Sequence, residues 1–171
     1  MRNREPSTRT AMTNMTRILA TLTLLLAAAN AAQAQTATQT VTFQVDAINQ
    51  IAFTGSPSLV VNTATAGSGP AAATANGTWA VTTNQSNAKI TASINSAMPA
   101  GLTLTANLAA PAGGTSAGAQ TLSTTAVDVV TGLTQVAQGT LNVAYELTAT
   151  TAAGVVTSQS RTVTYTITGG T

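Results

Sequence analysis

Apolar and polar residues alternate along most of this chain with a period of two. Val41, Phe43 and Val45 are separated by Thr42 and Gln44, and Ile90, Ala92 and Ile94 by Thr91 and Ser93. Leu102, Leu104, Ala106 and Leu108 alternate with Thr103, Thr105 and Asn107. Leu141, Val143, Tyr145 and Leu147 follow the same rule, as do Val163, Tyr165 and Ile167 between threonines. Successive side chains of a strand point to opposite faces, so this pattern gives each strand one buried and one wet face. No stretch after residue 34 keeps helical spacing for three turns, and the residue types are those that favour strands.

Punctuation divides these runs into short strands. Gly55-Ser56-Pro57, Gly67-Ser68-Gly69-Pro70, Asn76-Gly77 and Pro99-Ala100-Gly101 are turn signals, because Gly supplies positive φ and Pro fixes φ. Residues 110–118 form a longer loop of small residues. Strands are expected near 38–46, 48–54, 58–62, 77–84, 88–96, 101–109, 119–131 (in two pieces), 139–150 and 154–168. Seven to nine strands over this length predict an all-β fold, an immunoglobulin-like antiparallel β-sandwich, after an N-terminal signal peptide. Trp79 opens an apolar run and is expected in the core.

The first 34 residues change the composition. Arg2, Arg4, Arg9 and Arg17 form a basic region, 18–29 an apolar one, and Ala32-Gln33-Ala34 a small-x-small cleavage site. A cleaved signal peptide over 1–34 and a single β-sandwich domain over 35–171 are expected, with export to the cell surface, the medium or the periplasm. The apolar run is too short to span a bilayer, so no membrane span is expected in the mature chain. Of 171 residues, removing 34 leaves 137, of which 30 are Thr and five are charged: Asp46, Lys89, Asp128, Glu146 and Arg161. Two cations against three anions leave a net of −1. That is far too few cations for the phosphate contacts that nucleic acid requires.

The same scarcity bears on chemistry. The chain has no His and no Cys, whereas general acid–base catalysis, nucleophile activation and metal ligation mostly use His, Cys or clustered carboxylates. No enzyme activity, catalytic residue, metal or cofactor is expected. Gly114-Thr115-Ser116-Ala117-Gly118 fits a nucleophile elbow, but without a histidine or a following helix it reads as a loop. Ser86-Asn87-Ala88-Lys89 fits S-x-x-K, but it lies in a turn entering a strand, so Lys89 reads as solvated. Arg161 and Glu146 are expected to form a cross-strand pair, on the assumption that their strands are neighbours. The threonine row at 162, 164, 166 and 168 could match an ice lattice, yet Thr is also the commonest polar strand former and the row does not repeat between strands.

A leader, a Thr/Ala/Gly-rich mature chain, a strand starting within a few residues of the new N-terminus and a last strand at 154–168 resemble bacterial surface and pilin-type β-sandwich proteins. The resemblance is architectural and is carried best by the strands within 87–96, 102–108 and 140–168. The chain departs from chaperone–usher subunits in lacking their cysteine pair. The resemblance implies a non-catalytic structural or adhesive surface protein, with other copies of itself or other surface proteins as partners. Residues 35–46 suit either an ordinary first strand paired within its own domain or a strand donated to a neighbour, with Val41, Phe43 and Val45 as its apolar phase. The alternative is a secreted module binding a carbohydrate or another ligand, with Trp79 as its platform.

Overall fold

The computed structural model describes residues 34–170. The chain divides between Gln44 and Val45 into two units, and every strand belongs to the second. That unit holds nine strands: β1 (Asn49–Thr54), β2 (Ala73–Thr83), β3 (Ala88–Ile94), β4 (Leu102–Leu108), β5 (Thr115–Ser116), β6 (Gln120–Thr121), β7 (Val127–Leu133), β8 (Val136–Ala149) and β9 (Val163–Thr168). They form two antiparallel sheets, one in the order β1-β2-β8-β4-β6 and the other β5-β7-β3-β9. The fold is an all-β sandwich. The leader expected over 1–34 lies outside the described residues but for Ala34, and no described helix is long and apolar enough to cross a membrane.

Alternation builds the core. On β3, Ala88, Ile90, Ala92 and Ile94 are buried while Lys89 is exposed. On β4, Leu104, Ala106 and Leu108 are buried, and on β8 so are Leu141, Val143 and Tyr145. Trp79 and Val81 of β2 and Val129, Val130 and Leu133 of β7 complete the centre. Thr164 and Thr166 face solvent, and Val163 and Tyr165, which alternate with them, are half-buried.

The central strand β8 needs a correction to keep its phase. Val136 and Leu141 are five residues apart, so a regular strand would point them to opposite faces. The register of β2 on β8 shifts between Trp79 and Val81, which pair with Leu141 and Gln138. The extra residue of this bulge brings both Val136 and Leu141 inward. Thr140 sits there at φ 59°, an uncommon conformation for a β-branched residue.

Three expected strands are corrected. Residues 38–46 form no strand, nor do 58–62, and of 154–168 only 163–168 does so. Conversely, β5 lies within the expected 110–118 loop, and β2 starts at Ala73 rather than at 77.

Candidate assembly surface

The side-chain amide of Asn84 holds the residues that lead into β1. Asn84, just after β2, donates from Nδ2 to Asp46 O at 2.7 Å and accepts at Oδ1 from Ile48 N at 2.7 Å. On the N-terminal side of this clamp, Val41, Phe43 and Val45 are 72%, 90% and 79% exposed. The candidate assembly residues therefore do not form the domain's own first strand; β1 begins only at Asn49.

Strands β1 and β9 each end their sheet, so each has one edge with no neighbouring strand among the described residues. Both show alternating half-buried and exposed residues: Ile51 and Phe53 on β1, Val163, Tyr165 and Ile167 on β9. Three aromatic rings link the sheets on this side. Phe53 stacks on Tyr165 with centroids 3.8 Å apart and on Trp79 at 6.0 Å. The Tyr145 and Tyr165 hydroxyls are 2.8 Å apart, joining β8 to β9. Burial pushes both phenols upward from their ordinary value; the shared bond and the neighbouring phenolate charge raise Tyr165 further, whereas the bond lowers Tyr145 in part.

Trp79 is 1% exposed and its Nε1 has no hydrogen-bond partner. The expectation of a ligand platform there is corrected: the ring is packed between sheets and offers no face to a sugar. Ser116 Oγ donates to Leu108 O at 2.6 Å and accepts from Gly118 N at 3.1 Å, which ties β5 to the end of β4. Lys89 Nζ lies 3.0 Å from Asp128 Oδ1 on neighbouring β7, an exposed pair of small energetic weight.

The expected Arg161–Glu146 pair is also corrected. Glu146 lies on β8 between Thr74 and Thr105, in the sheet that does not contain β9. The chain crosses to the other sheet through the 3-10 turn Thr151–Ala153 and residues 154–162. Arg161 instead donates from Nε and Nη2 to Ala97 O, at 3.1 and 2.9 Å, and from Nη1 to Ser160 O at 2.9 Å. Among the described residues no three His, Cys, Asp or Glu side chains come together as a metal-binding group.

A cavity of about 680 Å³ opens where β4 begins and β8 ends. Leu59, Met98, Leu102, Leu147 and Val156 give it an apolar lining, and Arg161 is its one ionisable residue. Sequence reasoning missed it; its signal was the expected strand at 58–62 and the first part, 154–161, of the one expected at 154–168, neither of which joins a sheet. No protein-family model, curated protein or solved structure matches this chain.

Proposed function

We propose that the chain is an exported, non-catalytic structural or adhesive protein of a bacterial surface, a filament subunit assembled by β-strand addition. The observation that carries this reading is the exposure of Val41, Phe43 and Val45 on one phase of a stretch with no charge before Asp46. Three such side chains in water forgo roughly 1.5–3 kcal/mol each of burial, and an interface would recover it. The open edges of β1 and β9 supply unpaired backbone groups of the kind that strand addition uses. The resemblance to pilin-type β-sandwiches agrees with this reading.

Electron microscopy of the chain beginning at Gln35, over a range of concentrations, tests it. Filaments or regular oligomers that grow with concentration are expected. A compact monomer at every concentration would leave a ligand-binding module as the better reading.

A further inference from the structure

The residues around the cavity beside β4 and β8 are sorted by depth. Leu59, Val61, Met98, Leu102, Leu147 and Val156 are half-buried, and Arg161 is the one polar side chain at that depth. The hydroxyl and amide residues of the lining, among them Asn62, Thr150, Thr157 and Gln159, are all exposed. An apolar floor therefore lies under a polar mouth. Backbone hydrogen bonds hold this shape. Leu102 faces Ala149 and Leu104 faces Leu147 across β4 and β8, and Thr150 N donates to Gly101 O at 2.8 Å beside them. The wall at 59–64 runs into a small turn, where Ala64 bridges Pro70 and Ala71 N donates to Thr63 O at 2.8 Å. Arg161 adds a charge without a counter-charge. Its acceptors, Ala97 O, Ser160 O and Gln159 Oε1, are neutral oxygens. Among the described residues the ion pair is Lys89–Asp128, and it does not involve Arg161. The bonds from Nε, Nη2 and Nη1 leave one N–H of Nη1 over.

We propose that this cavity binds a small anionic amphiphile, a carboxylate on an unbranched alkyl chain of the fatty-acid class, with its head on Arg161. The inference does not rest on strand addition. A volume of about 680 Å³ suits a small molecule, since such sites span roughly 300–1,000 Å³. The carboxylate would take the spare N–H of Nη1 and displace the exposed Gln159 amide from Nη2. A charge-assisted hydrogen bond is stronger than the neutral one it replaces. The alkyl chain would cover Leu59, Met98, Leu102 and Leu147 and remove their apolar surface from water. The hydroxyls and amides at the mouth stay hydrated, so none is buried unpaired. The lining also argues against two other occupants. No aromatic side chain belongs to it, so a sugar ring finds no stacking face. A cationic amphiphile would meet the guanidinium with like charge.

In the chain beginning at Gln35, Met98 is the one methionine and Trp79 the one tryptophan. Labelling the Met98 methyl with carbon-13 therefore gives a single magnetic-resonance signal from the cavity, and the buried Trp79 indole gives a reference away from it. The dilute protein is titrated with decanoate, octanoate and decanol below their aggregation limits. Decanoate should shift the Met98 signal to saturation and leave the indole in place. Octanoate, shorter by two methylenes, should bind about tenfold more weakly. Decanol, which lacks the charge, should also bind about tenfold more weakly or worse. Arg161→Gln, with the indole signal confirming its fold, should lose about tenfold for decanoate and nothing for decanol. The comparison of decanoate with decanol on the unsubstituted chain stands even if that variant does not fold. A Met98 signal that never saturates, or that moves only together with the indole as in denaturation, would overturn the site. Equal affinities for decanoate and decanol would overturn the role given to Arg161.

Discussion

The hydroxyl of Tyr145 on β8 lies 2.8 Å from that of Tyr165 on β9, so one hydrogen bond spans the two sheets. Either oxygen can donate while both phenols are neutral. Loss of one proton would leave a phenolate in a half-dry site. Burial is the leading cause that raises both groups. A raised folded-state pKa means that this contribution to stability is complete below the unfolded value, about 10, and declines as pH rises above it. The melting temperature should therefore fall as pH rises past about 10, with a shallower fall for Tyr165→Phe, which keeps the stacking surface on Phe53. Equal slopes for the two proteins in a thermal melt series would contradict this account.

Burial separates Ile94 from its neighbours on β9. Ile94 is 3% exposed, whereas Thr164 on the outer face is exposed. Ile94→Ala should lower the unfolding free energy by about 2–5 kcal/mol, and Thr164→Ser by well under ~1 kcal/mol. Urea denaturation of the two variants measures this. Comparable losses would place the strand one residue out of phase.

Two backbone positions should respond in opposite directions. Thr140 holds φ 59° at the bulge of β8, a strained conformation that glycine adopts freely. Thr140→Gly is expected to leave the midpoint unchanged or raise it, by up to about 1 kcal/mol. Gly101 has φ +80°, and a Cβ there would lie 2.8 Å from Ala153 N and from Thr150 Oγ1. Gly101→Ala should cost about 1–3 kcal/mol. A chemical denaturation midpoint that moved downward for Thr140→Gly would show that the bulge depends on the threonine side chain.

The strands legible in the sequence are those whose two faces differ. Ile90 and Ile94 against Lys89, and Leu104 and Leu108 against Thr103 and Asn107, mark β3 and β4 because one face packs and the other is wet. Trp79 was legible as core for the same reason. Alternation reports how side chains sort, however, and carries no information about whether a neighbouring backbone is present. Segments 38–46, 58–62 and 154–162 have strand-like composition or spacing and no ladder in the structure. The short strands β5 and β6 were illegible because two residues set no period, and Ser116 is held by a hydroxyl bond to Leu108 O rather than by apolar packing. The separation of β8 from β9 was hidden because a turn-rich connection looks the same whether it closes a hairpin or crosses between sheets. The candidate assembly residues were visible in the sequence; the cavity, made from four distant segments, was not.

Assembly is the claim on which the account depends, and sedimentation velocity of three proteins tests it most directly. The chain beginning at Gln35, its Phe43→Asp variant and its Thr42→Ser variant are compared from low to high micromolar concentration. Phe43 is 90% exposed, so Asp at that position should leave the domain's melting temperature in the dilute monomer unchanged. The account predicts concentration-dependent oligomers for the unsubstituted chain and for Thr42→Ser, and monomer throughout for Phe43→Asp, because burying a carboxylate in place of the Phe43 ring at an interface between copies is costly. A single monomeric species for all three proteins, or oligomers that persist unchanged in Phe43→Asp, would contradict it.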